Sequence, residues 1–380
     1  MSILNHKICE ICVMDTSDSR IFFDQHGQCN NCTHFFHDII PQWENDITSE
    51  SKFIKLVNEI KIKGKGNKYD CVIGLSGGLD SSYLLHIAVT KFNLRPLVFH
   101  VDGGWNTEVA VRNINSLVTG LGLELITDVI NWKEMRSLQL AFFRSGVPHI
   151  DLPQDHAFIA SLYKFALENN IKYIVNGSNY STEGIRNPVN WGWFGTDLKQ
   201  IHDIHSQYGE LKLKKYPLSG ILNHKFYLRY IKGIKVVTPL NYVKYVKKDA
   251  EQELFDTYGW LPYPQKHFES RFTKFFEGHW LPTRFGFDTR KPQFSSLIVS
   301  GQMKREDAIE RLKNPAYPLD EVEKDYDFIA SKLRITVDEL KKYHSIPIKS
   351  FRDYKNQEFL FTFGSRLIRL LGIDKNAKKL

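Results

Sequence analysis

Residues 69–92 constrain the fold more tightly than any other stretch of the chain. "YDCVIGL" (69–75) is an apolar run rich in β-branched side chains, the composition of a strand buried on both faces. It breaks into "SGGLDS" (76–81), and a helical apolar pattern follows over 81–92. The same alternation then recurs. "RPLVFHVD" (95–102) reads as a strand, "NTEVAVRNINSLVTGLG" (106–122) as a helix ending in glycines, and "LELITDVI" as a third strand. Residues 154–170 read as a helix and "IKYIVNGS" (171–178) as another strand. Strands separated by helices of this length pair in parallel, so an α/β domain with a doubly wound parallel sheet is expected, without internal repeats.

In such sheets ligands bind beyond the carboxyl ends of the strands, near the switch in strand order. Residues 76–81 stand at that end of the first strand, where unpaired backbone N–H groups and the positive end of a helix dipole converge. Gly77 and Gly78 allow a close backbone approach, Ser76 and Ser81 add hydroxyls, and Asp80 is placed to cap the helix or hold Mg2+. These features predict a phosphate ligand. The lysine of the Walker loop is missing, and the spacing is not G-x-G-x-x-G. S-G-G-x-D-S after a first strand instead resembles the PP-loop of the N-type ATP pyrophosphatases, whose fold is adenine nucleotide alpha hydrolase-like.

That resemblance implies cleavage of ATP between its α and β phosphates, with a carbonyl oxygen activated as its adenylate. It assigns Ser76, Gly77, Gly78, Asp80 and Ser81 to ATP, with Ser76 and Asp80 also catalytic. Asp102, closing the second strand, would meet the adenosine, and Gly177, closing a later one, would lie beside the α-phosphate. Asp155 resembles an acidic residue that some relatives place near the triphosphate. Turn chemistry accounts equally for Asp102 and Gly177, and an N-cap for Asp155.

The cysteines carry a second signal. Cys9 and Cys12 form one C-x2-C and Cys29 and Cys32 another, sixteen residues apart, the spacing of a zinc ribbon. Four thiolates leave no open coordination position, so a bound Zn2+ would be structural. Disulfides and redox chemistry are the alternatives, and a reducing compartment disfavours the former. The fifth cysteine, Cys71, falls inside the first strand. The N-terminus lacks a secretory pattern and no apolar run approaches the roughly 18 residues of a membrane span, so a cytoplasmic protein without a transmembrane segment is expected.

The net charge of +8 is concentrated. Residues 199–248 hold eleven Lys/Arg against two Asp/Glu, so the rest of the chain is close to neutral. Such a block suits a polyanion, a nucleotide-bearing substrate or an acidic partner, or is simply a solvated face.

Further segments narrow the resemblance. "CEICVMDTSDSRIFFDQHGQCNNC", the PP-loop, "KHFESRFTKFFEGHW" (266–280) and "DTRKPQFSSLIVSGQMKREDAIERL" (288–312) together resemble the N-acetyl sugar amidotransferases of lipopolysaccharide O-antigen and flagellar nonulosonic acid synthesis. The similarity runs over almost the whole chain. It implies that a nucleotide-linked N-acetyl sugar is converted to its acetamidino form, with ATP giving AMP and pyrophosphate. It also implies ammonia from a separate glutaminase, as in the histidine-biosynthesis glutaminase/cyclase pair; no stable nucleic-acid complex is expected, and a homodimer is compatible. A glutaminase in this chain would need a free cysteine nucleophile, and none stands outside the pairs and Cys71.

Candidates for sugar recognition are Trp191, Trp193 and Asp197 in "NPVNWGWFGTD" (187–197), suited to stacking on a sugar face and bonding hydroxyls, with core packing as the alternative. His267, Glu269, Arg271 and Lys274, then Arg290 and Lys291, bring acid, base and cation together as substrate or phosphate contacts. The expected organisation is a zinc ribbon over 1–40, a helical linker over 41–68, the PP-loop domain over 69–260 and a mainly helical substrate or partner region over 261–380. In that last region Thr336 is placed to cap "VDELKKY", and "FLFTFGSRLIRLLGI" is an apolar segment for docking on the core, a partner or a membrane surface. A tRNA-modifying enzyme and a nucleotide-sensing module remain the competing classes.

Overall fold

The computed structural model describes residues 6–43 and 47–370. Residues 371–373 of the apolar C-terminal segment lie outside these. Five strands form one parallel sheet: β1 (Cys71–Gly74), β2 (Pro96–Asp102), β3 (Leu125–Val129), β4 (Tyr173–Val175) and β5 (Lys235–Val237), in the order β3-β2-β1-β4-β5. The chain steps outward from β1 to β3, then returns across the sheet to lay β4 against the free side of β1. The order therefore switches between β1 and β4, and a crevice opens beyond their carboxyl ends.

The two-residue period of the strands sends alternate side chains to opposite faces. Cys71, Ile73 and Leu75 pack with helices Leu79–Thr90, Glu108–Gly120 and Lys247–Tyr258. Val72, Leu97, Phe99 and Val101 face helices Trp132–Ser145, Leu152–Glu168 and Leu198–Tyr208. The sheet is thus doubly wound, as the alternation predicts. Two elements escape the sequence pattern. Helix Trp132–Ser145 hides Glu134, Ser137 and Gln139 among its apolar residues, which blurs its period. β5 is a three-residue edge strand with Lys235 and Val236 exposed, so it shows no burial alternation at all.

Beyond the sheet the chain is helical, including Arg290–Val299, Arg305–Leu312, Leu319–Leu333, Val337–Ser345 and Glu358–Leu370. Thr336 caps as expected, its hydroxyl oxygen accepting from the Glu339 N–H at 3.1 Å. Phe272, Phe275, Trp280, Tyr326 and Ile329 bury against Trp105, Leu140 and Phe143 of the sheet portion, a continuous aromatic core that fixes these helices to it.

Residues 260–270 form an irregular strap across the carboxyl edge of the sheet. An antiparallel bridge joins Asn106 to Ser270, the Thr107 N–H donates to the Glu269 carbonyl at 3.0 Å, and the Arg271 N–H donates to the Trp105 carbonyl at 2.8 Å. At the N-terminus, the Arg305 guanidinium donates to the carbonyls of Cys9 and Cys12, tying the cysteine-rich segment to the C-terminal helices.

Candidate active site

The turn from β1 into helix Leu79–Thr90 is shaped by its glycines. Gly77 has φ +87°, a left-handed conformation costly for any residue with a Cβ. Gly78 is the N-cap and offers no side chain to the free N–H groups, leaving them for a ligand. The hydroxyls of Ser76 and Ser81 lie 3.2 Å apart, and the Gly78 N–H donates to Ser76 Oγ at 3.2 Å. Gly177, at the end of β4, abuts the loop from behind; a Cβ there would stand 2.9 Å from the Asp80 carbonyl group.

Asp80 is engaged rather than free. Its carboxylate accepts from Lys266 Nζ at 2.8 Å, from the Tyr245 hydroxyl, and from Thr182 Oγ1 at 3.4 Å. Lys266 also bridges to Glu183 at 2.6 Å. Burial works to raise the Asp80 carboxyl, but the Lys266 ammonium beside it wins and holds it below the usual carboxylate range. For Lys266, burial works to lower the ammonium, and the two carboxylates outweigh it and raise it. The cation that this loop lacks in sequence is therefore delivered by the strap. Lys266 stands first in the "KHFESRFTKF" run, but only the folded chain brings it to residue 80.

Two cavities meet at this point. The larger, about 630 Å³, reaches the carboxyl ends of β1 and β2 at Leu75 and Phe99–Val101 and is walled by Trp191, Trp193, Phe194 and Phe158. The smaller, about 270 Å³, contains the loop residues Gly78–Ser81 together with Gly177, Lys247 and Lys266. Ser76, His267 and Glu269 line both and form the throat between them. Glu269 reaches over the loop, and Ser76 Oγ donates to it at 3.4 Å. Burial pushes the Glu269 carboxyl up, with His267 opposing. Asp151, on the wall of the larger cavity, is also raised, first by burial and then by the neighbouring charge of Asp155. Asp155 itself sits in the first turn of its helix and pairs with His149 at 3.1 Å, so it faces the larger cavity and caps nothing.

Among the sugar candidates, Trp191, Trp193, His267 and Glu269 line the cavities and the others do not. Asp197 is fully buried and caps helix Leu198–Tyr208, accepting from the Gln200 N–H, the Trp193 indole at 2.7 Å and the Gln357 N–H. Arg271 pairs with Asp325 at 2.6 Å and lies over the Phe328 ring; Lys274 pairs with Glu321 and Asp325. Arg290 is held by Asp288 and by the carbonyls of Arg311 and Asn314, and Lys291 reaches Asp15 beside the cysteine cluster. Asp102 also lies outside both cavities, its carboxylate accepting from the Gly104 N–H at 2.7 Å to hold the turn after β2. Of the basic block, only Lys247 lines either of these two cavities.

The Sγ atoms of Cys9, Cys12, Cys29 and Cys32 lie within 4.8 Å of one another, all fully buried. Backbone N–H groups of Ile11, Cys12 and Cys29 point at Cys9 Sγ, and that of Met14 at Cys12 Sγ. Gly27 has φ +79° before the second pair. Four convergent sulfurs in paired turns, the first pair served by main-chain donors, could hold a tetrahedral metal ion.

Comparison with known proteins adds the following. Residues 269–368 match the family described as LPS biosynthesis protein WbpG-like, C-terminal domain. An uncharacterized protein of Methanocaldococcus jannaschii is 33% identical over 109 residues, 28% of this chain and 36% of the relative, so the match spans about a third of that protein's length. Among solved structures, the chain is similar to the NH3-dependent NAD synthetase of Campylobacter jejuni (17% identity, TM-score 0.29, covering 55% of this chain and 84% of that one). It is also similar to the NMN synthetase of Francisella tularensis (19%, 0.30, 61% and 93%). A third is the U34-tRNA thiolase NcsA of Methanococcus maripaludis with its [4Fe-4S] cluster (15%, 0.30, 68% and 80%). Scores of this size leave the chemistry to be argued from the site itself.

Proposed function

We propose that the protein is an ATP-dependent, AMP-forming amidotransferase acting on the N-acetyl group of a nucleotide-linked sugar in surface-glycan synthesis. One observation carries the reading: a glycine-serine loop at a helix start, built for phosphate, opens through a shared throat into a second, aromatic-walled cavity large enough for an acceptor. The WbpG-like match over residues 269–368 supports lipopolysaccharide synthesis as the setting, and those residues furnish part of the throat.

The chemistry needs both compartments. An amide carbon is a poor electrophile and its oxygen a poor leaving group. The carbonyl oxygen attacks the α-phosphorus, the bond to the bridging oxygen of pyrophosphate breaks, and loss of the amide N–H proton leaves an O-adenylyl imidate. Ammonia adds at the imidate carbon, the C–O bond breaks, AMP leaves, and the second proton ends on the amidine. Loop N–H groups, Ser76, Ser81 and Lys266 hold the departing pyrophosphate, while Trp191 and Trp193, both buried and stacked on Phe287 and Phe351, are core aromatics that shape the wall of the acceptor compartment. Asp80 would hold Mg2+ only if Lys266 and Tyr245, the donors now on its two oxygens, gave way, and the ion when bound would neutralise charge on the leaving group. The cysteine cluster fits structural Zn2+, because four buried thiolates suit that ion and expose no site for substrate.

Ammonia comes, in this reading, from a separate glutaminase in the cytoplasm. Cys71 is fully buried at the start of β1 and burial pushes its thiol up, which removes it as a nucleophile. The test incubates the protein with ATP, ammonium and a panel of UDP- and CMP-linked acetamido sugars. Mass spectrometry should show exchange of O for NH in one sugar, with AMP rather than ADP as the nucleotide product. Formation of orthophosphate alone would overturn the reading. The competing tRNA-modifying role draws on the basic block, and it predicts that turnover requires added tRNA.

A further inference from the structure

His267 occupies an unusual place. It has φ +68°, a left-handed conformation uncommon for a residue with a Cβ, though one that histidine tolerates better than most. Its Nδ1 lies 3.0 and 3.1 Å from the two oxygens of Glu277. Glu277 is itself buried and held from its far side by Thr289 Oγ1 at 3.5 Å and Gln293 Nε2 at 3.4 Å. No described protein group bonds Nε2. The ring nevertheless lines both cavities, two-fifths exposed, at the throat where loop and acceptor compartment meet.

We propose that His267, oriented by Glu277, presents its Nε2–H to the nucleotide's phosphates at the throat and is a pH-sensitive cation that helps bind them there. This rests on the reading of the loop as an ATP site. The groups facing the imidazole are Glu277 from the helix behind it, Lys266 and Glu269 on its own strap, Asp151 from the start of helix Leu152–Glu168, and Asp80 from the loop helix. Four of these five are carboxyls. Burial works to lower the imidazolium, but Glu277 outweighs it and the group is pushed up to about 9. The cation is therefore present below about pH 9, and its contribution disappears as pH rises through that value. Without Glu277 the imidazole should titrate nearer its ordinary value of about 6.5.

The experiment measures binding of magnesium α,β-methylene-ATP to the full chain by calorimetry between pH 6 and 10. Wild type should lose affinity, by roughly ten- to hundredfold, along a limb near pH 9. Glu277→Gln should move that limb down to between about pH 6 and 8. His267→Asn, a residue that accepts left-handed backbone, should abolish the limb, and His267→Lys should restore affinity with a limb shifted above the wild-type one. A melting curve for each variant confirms folding. If wild type binds the analogue but Glu277→Gln leaves the limb unmoved, the proposal fails while the ATP reading stands. If wild type fails to bind the analogue at any pH, both fall together.

Discussion

Gly177→Ala is the sharpest test of how the phosphate loop is held. The added Cβ would stand 2.9 Å from both the carbonyl carbon and oxygen of Asp80 and 3.1 Å from the Ser81 nitrogen. These are backbone atoms, so no side-chain rotation relieves the contact. Non-bonded carbon atoms settle at about 3.5–4.0 Å, which requires β4 and the loop to separate by roughly half an ångström or more. Overpacking of this kind costs about 1–3 kcal/mol, of which about 0.4–1 kcal/mol is offset by the smaller entropy of the unfolded alanine chain. The functional effect should be larger than the stability effect. Donors held for a polyphosphate need placement within about 0.5 Å, and a displacement of about 1 Å can cost about a hundredfold in rate. The expected result is a fall of roughly tenfold or more in both ATP-analogue affinity and AMP formation. Gly74→Ala is the matched control, because its Cβ would meet only the Leu162 side chain at 3.7–3.8 Å, an ordinary contact. Equal affinity and turnover in the two variants, measured by calorimetry and AMP release, would refute the claim that Gly177 sets the loop.

Three further outcomes are expected. Purified protein should carry one equivalent of zinc by elemental analysis, and Cys9→Ser or Cys29→Ser should lose it together with thermal stability, since all four sulfurs converge on one point; an iron content instead would reassign the cluster. Lys266→Met leaves Asp80 and Glu183 without the ammonium now 2.8 and 2.6 Å away, so ATP affinity should weaken by roughly ten- to hundredfold, and unchanged affinity would remove Lys266 from the phosphate site. Asp197→Ala strips a helix cap and leaves the Trp193 and Gln357 donors unpaired, which should cost about 3 kcal/mol in urea unfolding while leaving turnover by the folded fraction intact; a large drop in turnover in well-folded protein would return Asp197 to sugar recognition.

What the sequence reveals and hides divides along contact range. The loop at 76–81, the cysteine pairs and the Thr336 cap are each written within a few consecutive residues, and the structure places each as the local pattern requires. Charged side chains offer no such guide. Arg271 and Lys274 stand beside His267 and Glu269 in sequence, and Arg290 and Lys291 follow in a later helix, yet Arg271, Lys274 and Lys291 find carboxylates far along the chain at Asp325, Glu321 and Asp15, while Arg290 pairs locally with Asp288. Lys266 and Glu277 were as visible as any of them, but their partners are Asp80 and His267, fixed by how the strap crosses the sheet. A cation's role depends on which anion the fold brings to it, and that is a property of topology.

The strap also joins the two cavities that the proposed reaction would use for nucleotide and acceptor. A phosphate loop on a parallel sheet supplies N–H donors, but here its cation and two of the throat side chains, His267 and Glu269, come from residues 260–270, pinned by the Asn106–Ser270 bridge. The WbpG-like segment begins at Glu269, on the throat itself, and continues through Thr273, Phe276, Glu277 and Thr289 around the larger cavity. Changing that segment to alter acceptor choice therefore also changes the residues that orient His267 and face the loop. In the proposed reaction, acceptor specificity and phosphate binding would share a wall, so a change of acceptor that keeps ATP affinity is expected only where Glu269, Glu277 and Thr289 are retained.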